Sequence, residues 1–124
     1  MQVLMIEPSP LARNVYRLIL RRMGECKIDE VAALEEIDHR ALADRPYDLL
    51  IIGSRAFDEP GRKLRALLTD VADWERIPKM IVTLPQPSGP QSPWEGLARV
   101  VVLTRPFSPE AFEKAVKQCC KGRH

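Results

Sequence analysis

Four short apolar runs constrain this chain more than any other feature of it: Val3 to Ile6, Leu49 to Ile52, Met80 to Val82, and Val100 to Leu103. None contains a polar residue. A strand with one wet face alternates polar and apolar residues, so unbroken aliphatic runs of this length read as strands buried on both faces, as in a parallel sheet. A fifth segment, Cys26 to Val31, does alternate and reads as an edge strand.

Helical patterns fill the intervals. Ser9 is a good N-cap, and Pro10 stands at the first helical position, where its missing N–H costs nothing. Leu11, Val15, Leu18 and Ile19 follow as one apolar stripe, ending before Gly24. A second, weaker helix is expected from about Ala33 to Asp44, with Leu34, Ile37 and Ala41 inward. A third follows Pro60-Gly61 and carries Leu64, Leu67, Leu68 and Val71. The last repeats the opening of the first: Ser108 caps, Pro109 is the first helical residue, and Phe107 and Phe112 stand at the positions of a hydrophobic staple. Its stripe continues through Ala115, Val116 and Cys119. Between Leu84 and Val100, Pro85, Pro87, Pro90, Pro93 and Gly89 forbid a long helix. Ser92-Pro93-Trp94-Glu95 has the form of a capping box, so this fourth helix is expected to be one or two turns within 93–98.

The order is therefore βα five times over, in a single domain spanning 1–124. Right-handed crossovers put helices on both faces of a five-stranded parallel sheet. With the alternating strand second in sequence and at an edge, the doubly wound order 2-1-3-4-5 of flavodoxin-like folds is the natural choice. Ligands in such sheets sit at the carboxyl ends of the strands, which here carry Glu7-Pro8-Ser9-Pro10, Gly53-Ser54, Thr83, and Thr104-Arg105-Pro106-Phe107.

Composition removes several function classes. A net charge of +2, with its lysines and arginines scattered, argues against nucleic acid or an anionic membrane surface as the partner. No apolar run approaches the roughly 20 residues that cross a bilayer, and Met1 to Ile6 lacks the basic start of a signal peptide, so a cytoplasmic protein is expected. Cys26, Cys119 and Cys120 are odd in number and lack zinc-ligand spacing, which fits reduced thiols without catalytic work. His39 and His124 have no metal-ligand company.

The strand-end residues resemble those of bacterial response-regulator receiver (CheY-like) domains over essentially the whole chain. Met5-Ile6-Glu7-Pro8-Ser9 is similar to the acidic motif after strand one. Tyr47-Asp48-Leu49-Leu50-Ile51-Ile52-Gly53 is similar to the approach to the phospho-accepting aspartate. Ile81-Val82-Thr83 and Leu103-Thr104-Arg105-Pro106-Phe107 are similar to the last two motifs. The spacings agree, with 30 positions from Gly53 to Thr83 and 22 from Thr83 to Arg105. The resemblance implies a (βα)5 receiver fold, a role in two-component phosphorelay signalling, and a cis peptide before Pro106.

The departures decide what remains of that role. Gly53 stands where the resemblance places the acceptor aspartate and offers no nucleophile. Glu7-Pro8 stands for the acidic pair, leaving one carboxylate where magnesium wants hard oxygens. Arg105 stands for the usual lysine, and Val102 for the aromatic residue that moves with Thr83. The expected protein is thus a pseudo-receiver that acts by protein–protein interaction, without aspartyl phosphorylation, metal, cofactor or enzymatic activity. Glu7 and Arg105 are expected to pair in place of the metal. Ser54, beside the lost acceptor, lacks an activating base. The partner surface is expected at Trp94 and Phe107, with a homodimer through the fourth helix, fifth strand and fifth helix as one form of it; Trp94 reads first as a core lid over a shortened helix, and marks a partner surface if it is exposed. The chain is either a stand-alone protein or a receiver cut from a longer one. A second reading makes the vacated pocket a small-molecule or anion site at Gly53 and Arg105. A third, an enzyme of flavodoxin-like fold, lacks a nucleophile–base pair or cofactor fingerprint.

Overall fold

The five segments become five strands of one parallel sheet: β1 (Gln2–Ile6), β2 (Lys27–Val31), β3 (Leu49–Ser54), β4 (Lys79–Thr83) and β5 (Val100–Thr104). The order is β2-β1-β3-β4-β5, as expected from the sequence. The computed structural model describes residues 1–32, 47–54, 76–83 and 99–120. The helices expected near 33–44 and after Pro60, the proline-rich stretch with Trp94, and His39 and His124 lie outside the described residues.

Two helices are described, α1 (Pro10–Met23) and α2 (Pro109–Cys120). Both begin as the sequence dictates. Ser9 Oγ accepts from the Ala12 N–H at 3.2 Å, and Ser108 Oγ accepts from the Ala111 N–H at 3.1 Å, each satisfying one of the helix's orphan donors. Phe107 and Phe112 lie 5.7 Å apart between ring centroids, closing the staple. Neither helix is long and apolar enough to cross a membrane.

The core forms between the helices and one face of the sheet. Val3, Met5, Leu49, Ile51, Met80 and Val82 meet Tyr16, Ile19 and Leu20 of α1 and Phe112, Ala115, Val116 and Cys119 of α2. The alternate residues Leu4, Ile6, Leu50, Ile52 and Ile81 are buried as well, which is why these runs contain no polar member.

Two expectations are corrected. The buried face of α1 is Ala12, Tyr16, Ile19, Leu20 and Met23, whereas Leu11, Val15 and Leu18 are 74, 40 and 63% exposed. Of the stripe read from the sequence, only Ile19 faces the core. Both stripes have helical spacing, and the helix turns inward the one whose tyrosine finds polar partners at the strand ends. The run Val100 to Leu103 is not buried on both faces. As an edge strand, β5 packs Val101 and Leu103 against the core and leaves Val102 46% exposed.

Candidate functional site

Register brings the candidate residues together. Ile6 pairs with Ile52, so Glu7 leaves β1 beside Gly53 of β3. Ser54 pairs with Thr83, and Thr83 with Thr104, so Arg105 leaves β5 from the same end of the sheet. The Arg105 N–H donates to the Thr83 carbonyl at 2.8 Å, which holds the start of the loop. Three strand spacings, about 14 Å, separate β1 from β5. Only two long side chains leaning toward each other over β3 can close that gap.

They do close it. Arg105 Nη2 donates to Glu7 Oε1 at 2.6 Å, the ion pair the sequence led one to expect. The pair is lopsided, the Glu7 side chain being 4% exposed and that of Arg105 35%. A carboxylate so far from water is costly unless paired and hydrogen-bonded. Tyr16 Oη donates to Glu7 Oε1 at 2.9 Å, and the same hydroxyl accepts from Arg105 Nη2 at 2.6 Å. The Ser9 N–H donates to Glu7 Oε2 at 3.4 Å.

Gly53 makes this arrangement possible. A Cβ at that position would fall inside van der Waals contact with the Glu7 carboxyl group, closest to Oε1. The absent side chain is therefore room that Glu7 fills.

Tyr16 is the member of the site that sequence reasoning missed. Its ring stacks on Phe112 with centroids 5.5 Å apart and meets Phe107 at 6.2 Å, so it links the ion pair to α2 and to the β5–α2 loop. Burial holds the Tyr16 hydroxyl above its ordinary range; the charge of Glu7 adds to that push and Arg105 opposes it. For Arg105, burial alone would lower the pKa, but the interactions with Tyr16 and Glu7 outweigh it and raise it. The available signal was position: Tyr16 lies in the second turn of a helix that starts at the strand ends.

The remaining residues fall around this centre. Thr83 is buried at the end of β4. Pro8 and Pro106 are exposed, and the Arg105–Pro106 peptide is cis. Phe107, named as a partner-surface residue, is half-buried within the aromatic trio. Val102 is on the exposed edge. Cys26, Cys119 and Cys120 are free thiols.

A divalent cation, which receiver-type sites use, does not fit these residues. Among the described residues at these strand ends Glu7 supplies the one carboxylate, and its Oε1 is committed to Arg105 and Tyr16. Gly53 and Pro8 supply no side-chain oxygen. Among the described residues no three His, Cys, Asp or Glu side chains converge as metal ligands.

Neither a protein-family model nor a curated protein matches the chain by sequence. Solved structures match it by shape. It is similar to the signal receiver domain of a histidine kinase from Syntrophus aciditrophicus, at 24% identity and a TM-score of 0.78, covering 98% of this chain and 91% of that one. It is also similar to a CheY-like response regulator receiver domain from Methylobacillus flagellatus, at 19% identity and a TM-score of 0.73, covering 96 and 98% of the two chains. The chemotaxis response regulator CheY4 of Vibrio cholerae matches at 18% identity and a TM-score of 0.70, covering 95 and 97%. At these identities the comparison establishes the fold, which is that of CheY-like receivers.

Proposed function

We propose that this chain is an atypical receiver module of two-component-type signal transduction, acting in the cytoplasm through contact with a protein partner and without aspartyl phosphorylation. One observation carries the reading: the Glu7 carboxylate lies over Gly53, in the space an acceptor side chain would need, and Arg105 and Tyr16 bind it there. Phosphoryl transfer needs a positioned nucleophile and neutralised charge. Here the nucleophile is missing, and the cation that would meet a phosphoryl oxygen is paired with the protein's own carboxylate. The same occupancy weighs against an anion-binding pocket at Gly53, since an incoming anion would have to displace Glu7 from its buried partners.

The test is incubation of the purified protein with Mg²⁺ and either acetyl phosphate or beryllofluoride, read by intact mass and by backbone amide shifts. The expected result is no adduct and unmoved resonances at Gly53, Thr83 and Arg105. An adduct, or shifts confined to those three positions, would overturn the reading and direct attention to Glu7 or Ser54 as acceptor.

A further inference from the structure

The end of the sheet opposite Glu7 gathers sulfur. Met1 precedes β1, Cys26 precedes β2, and Cys120 closes α2, which runs back toward the start of the strands. The parallel register sets Gln2 beside Lys27 and Val3 beside Ile28, so one step earlier Met1 stands beside Cys26. The Lys27 N–H donates to the Met1 carbonyl at 2.9 Å and ties the two segments together. Val3 lies in the core under α1 and α2, and Ile28 packs against that core. Side chains alternate along a strand, so Met1 and Cys26 fall on the same face. Cys26 and Cys120 both pack against the rim of this core, and Cys120 Sγ donates to Met1 Sδ at 3.9 Å. Cys119 stands apart: it is buried, and its Sγ donates to the Lys79 carbonyl at 3.6 Å. A cleft of about 530 Å³, lined in part by Met1, Cys26, Arg21 and Lys27, leads in from solvent.

We propose that Met1, Cys120 and Cys26 form a binding site for a soft monovalent cation, copper(I) by preference, held by one thioether and two thiolates. Spacing supports it. Sulfur ligands stand about 2.3 Å from such an ion, and three of them in a plane around it are about 4 Å apart. Met1 Sδ and Cys120 Sγ already have that separation. Cys26 Sγ donates to the Leu20 carbonyl at 3.6 Å, a weak bond that a side-chain rotation exchanges for the metal. Each thiol gives up its proton as its sulfur takes the ion, so one cation enters, two protons leave and no electron moves. The ion takes the place of the proton now held between Cys120 and Met1. The loaded site carries one net negative charge, which Arg21 and Lys27 in the cleft wall offset. Zinc is served less well. It wants four nitrogen, sulfur or carboxylate ligands, and among the described residues no third Cys, His, Asp or Glu joins the two cysteines. A thioether and a low ligand count select copper(I). Cysteine spacing hides such a site, because its ligands come from three separate segments and one is a methionine. The site shares no residue with Glu7, Gly53 and Arg105, so a phosphoryl adduct would sink the phosphorylation-free reading and leave this proposal standing.

The probe is copper(I) itself, added under nitrogen to the reduced protein in competition with a coloured copper(I) chelator. The methionine methyl groups carry a ¹³C label and are followed by NMR. One equivalent is expected to bind and to move the Met1 methyl resonance, while those of Met5 and Met80, buried in the core, stay in place. Zinc at the same concentration should leave the Met1 methyl unmoved. Cys120→Ser should weaken copper binding by about 100-fold and cancel the Met1 shift, and Cys26→Ser should weaken it by about tenfold. Cys119→Ser should alter neither readout, since that thiol points into the core. Amide spectra check that each variant is folded, and the Met1 shift in the parent protein decides the matter even if one is not. The proposal is overturned if copper(I) leaves the Met1 methyl unmoved, or if folded Cys120→Ser binds as tightly as the parent. Binding of half an equivalent per chain with dimerisation would also overturn it, making the ion a bridge between two copies.

Discussion

Gly53 and Glu7 behave as one unit, and a mutational cycle should show it. Gly53→Ala is expected to lower stability by about 1–3 kcal/mol in urea unfolding, because the added methyl group expels the Glu7 carboxylate from its two partners. In a Glu7→Ala background the same change should cost much less, and equal costs in both backgrounds would show that the two do not touch. Arg105→Ala should cost about 1–3 kcal/mol, at the low end of buried-pair values because the arginine is partly in water. Arg105→Lys should recover only part of that loss, since one Nη2 serves both Glu7 and Tyr16 and an ammonium has different reach and geometry. The Glu7–Arg105 pair was legible in the sequence because opposite charges stood at the same end of the sheet. Tyr16 was not, because a tyrosine in an amphipathic helix carries no mark of which polar group it will meet.

At the scale of elements, the caps and strands were legible and the rotation of α1 was not. Ser9 and Ser108 announce their helices through local chemistry that does not depend on the rest of the fold. The inward face of α1 depends on what it packs against, and its sequence offers two adjacent apolar stripes. Serine at Leu11, Val15 or Leu18 should therefore change stability by no more than about 0.5 kcal/mol. Alanine at Ile19 or Leu20, both buried, should cost about 2–5 kcal/mol. Thermal or urea midpoints of these single variants would decide between the stripes, and a large loss at Leu18 would restore the one read from the sequence.

For the whole molecule, strand order followed from two facts that sequence does record: where polar alternation marks an edge, and the handedness of crossovers. The burial of β5 did not follow, because an unbroken apolar run looks the same on an edge as in the middle. Burial across the domain also sets an alkaline limit. Burial, and secondarily the neighbouring Cys120, push the Cys119 thiol from its ordinary 9.0 up to about 12, and the Tyr16 hydroxyl is raised as well. Above about pH 9 the unfolded chain releases protons that the folded chain keeps, so the stability these groups contribute is complete below that pH and is lost as pH rises. Urea midpoints should fall from about pH 9 upward, and a Tyr16→Phe, Cys119→Ser variant should fall less steeply. Equal slopes for the two proteins would mean that neither group is shielded.

The Glu7–Arg105 contact spans 98 positions of sequence, and that distance bears on the order of assembly. Closing so long a loop carries an entropic cost that is met only when the final strand docks. Until then the Glu7 carboxylate has no cation over Gly53, and a partly assembled sheet carries an uncompensated charge near its middle. During synthesis, the first strand's carboxylate must wait for the residue that follows the fifth strand, so the pair acts as a closing clasp on the assembled sheet.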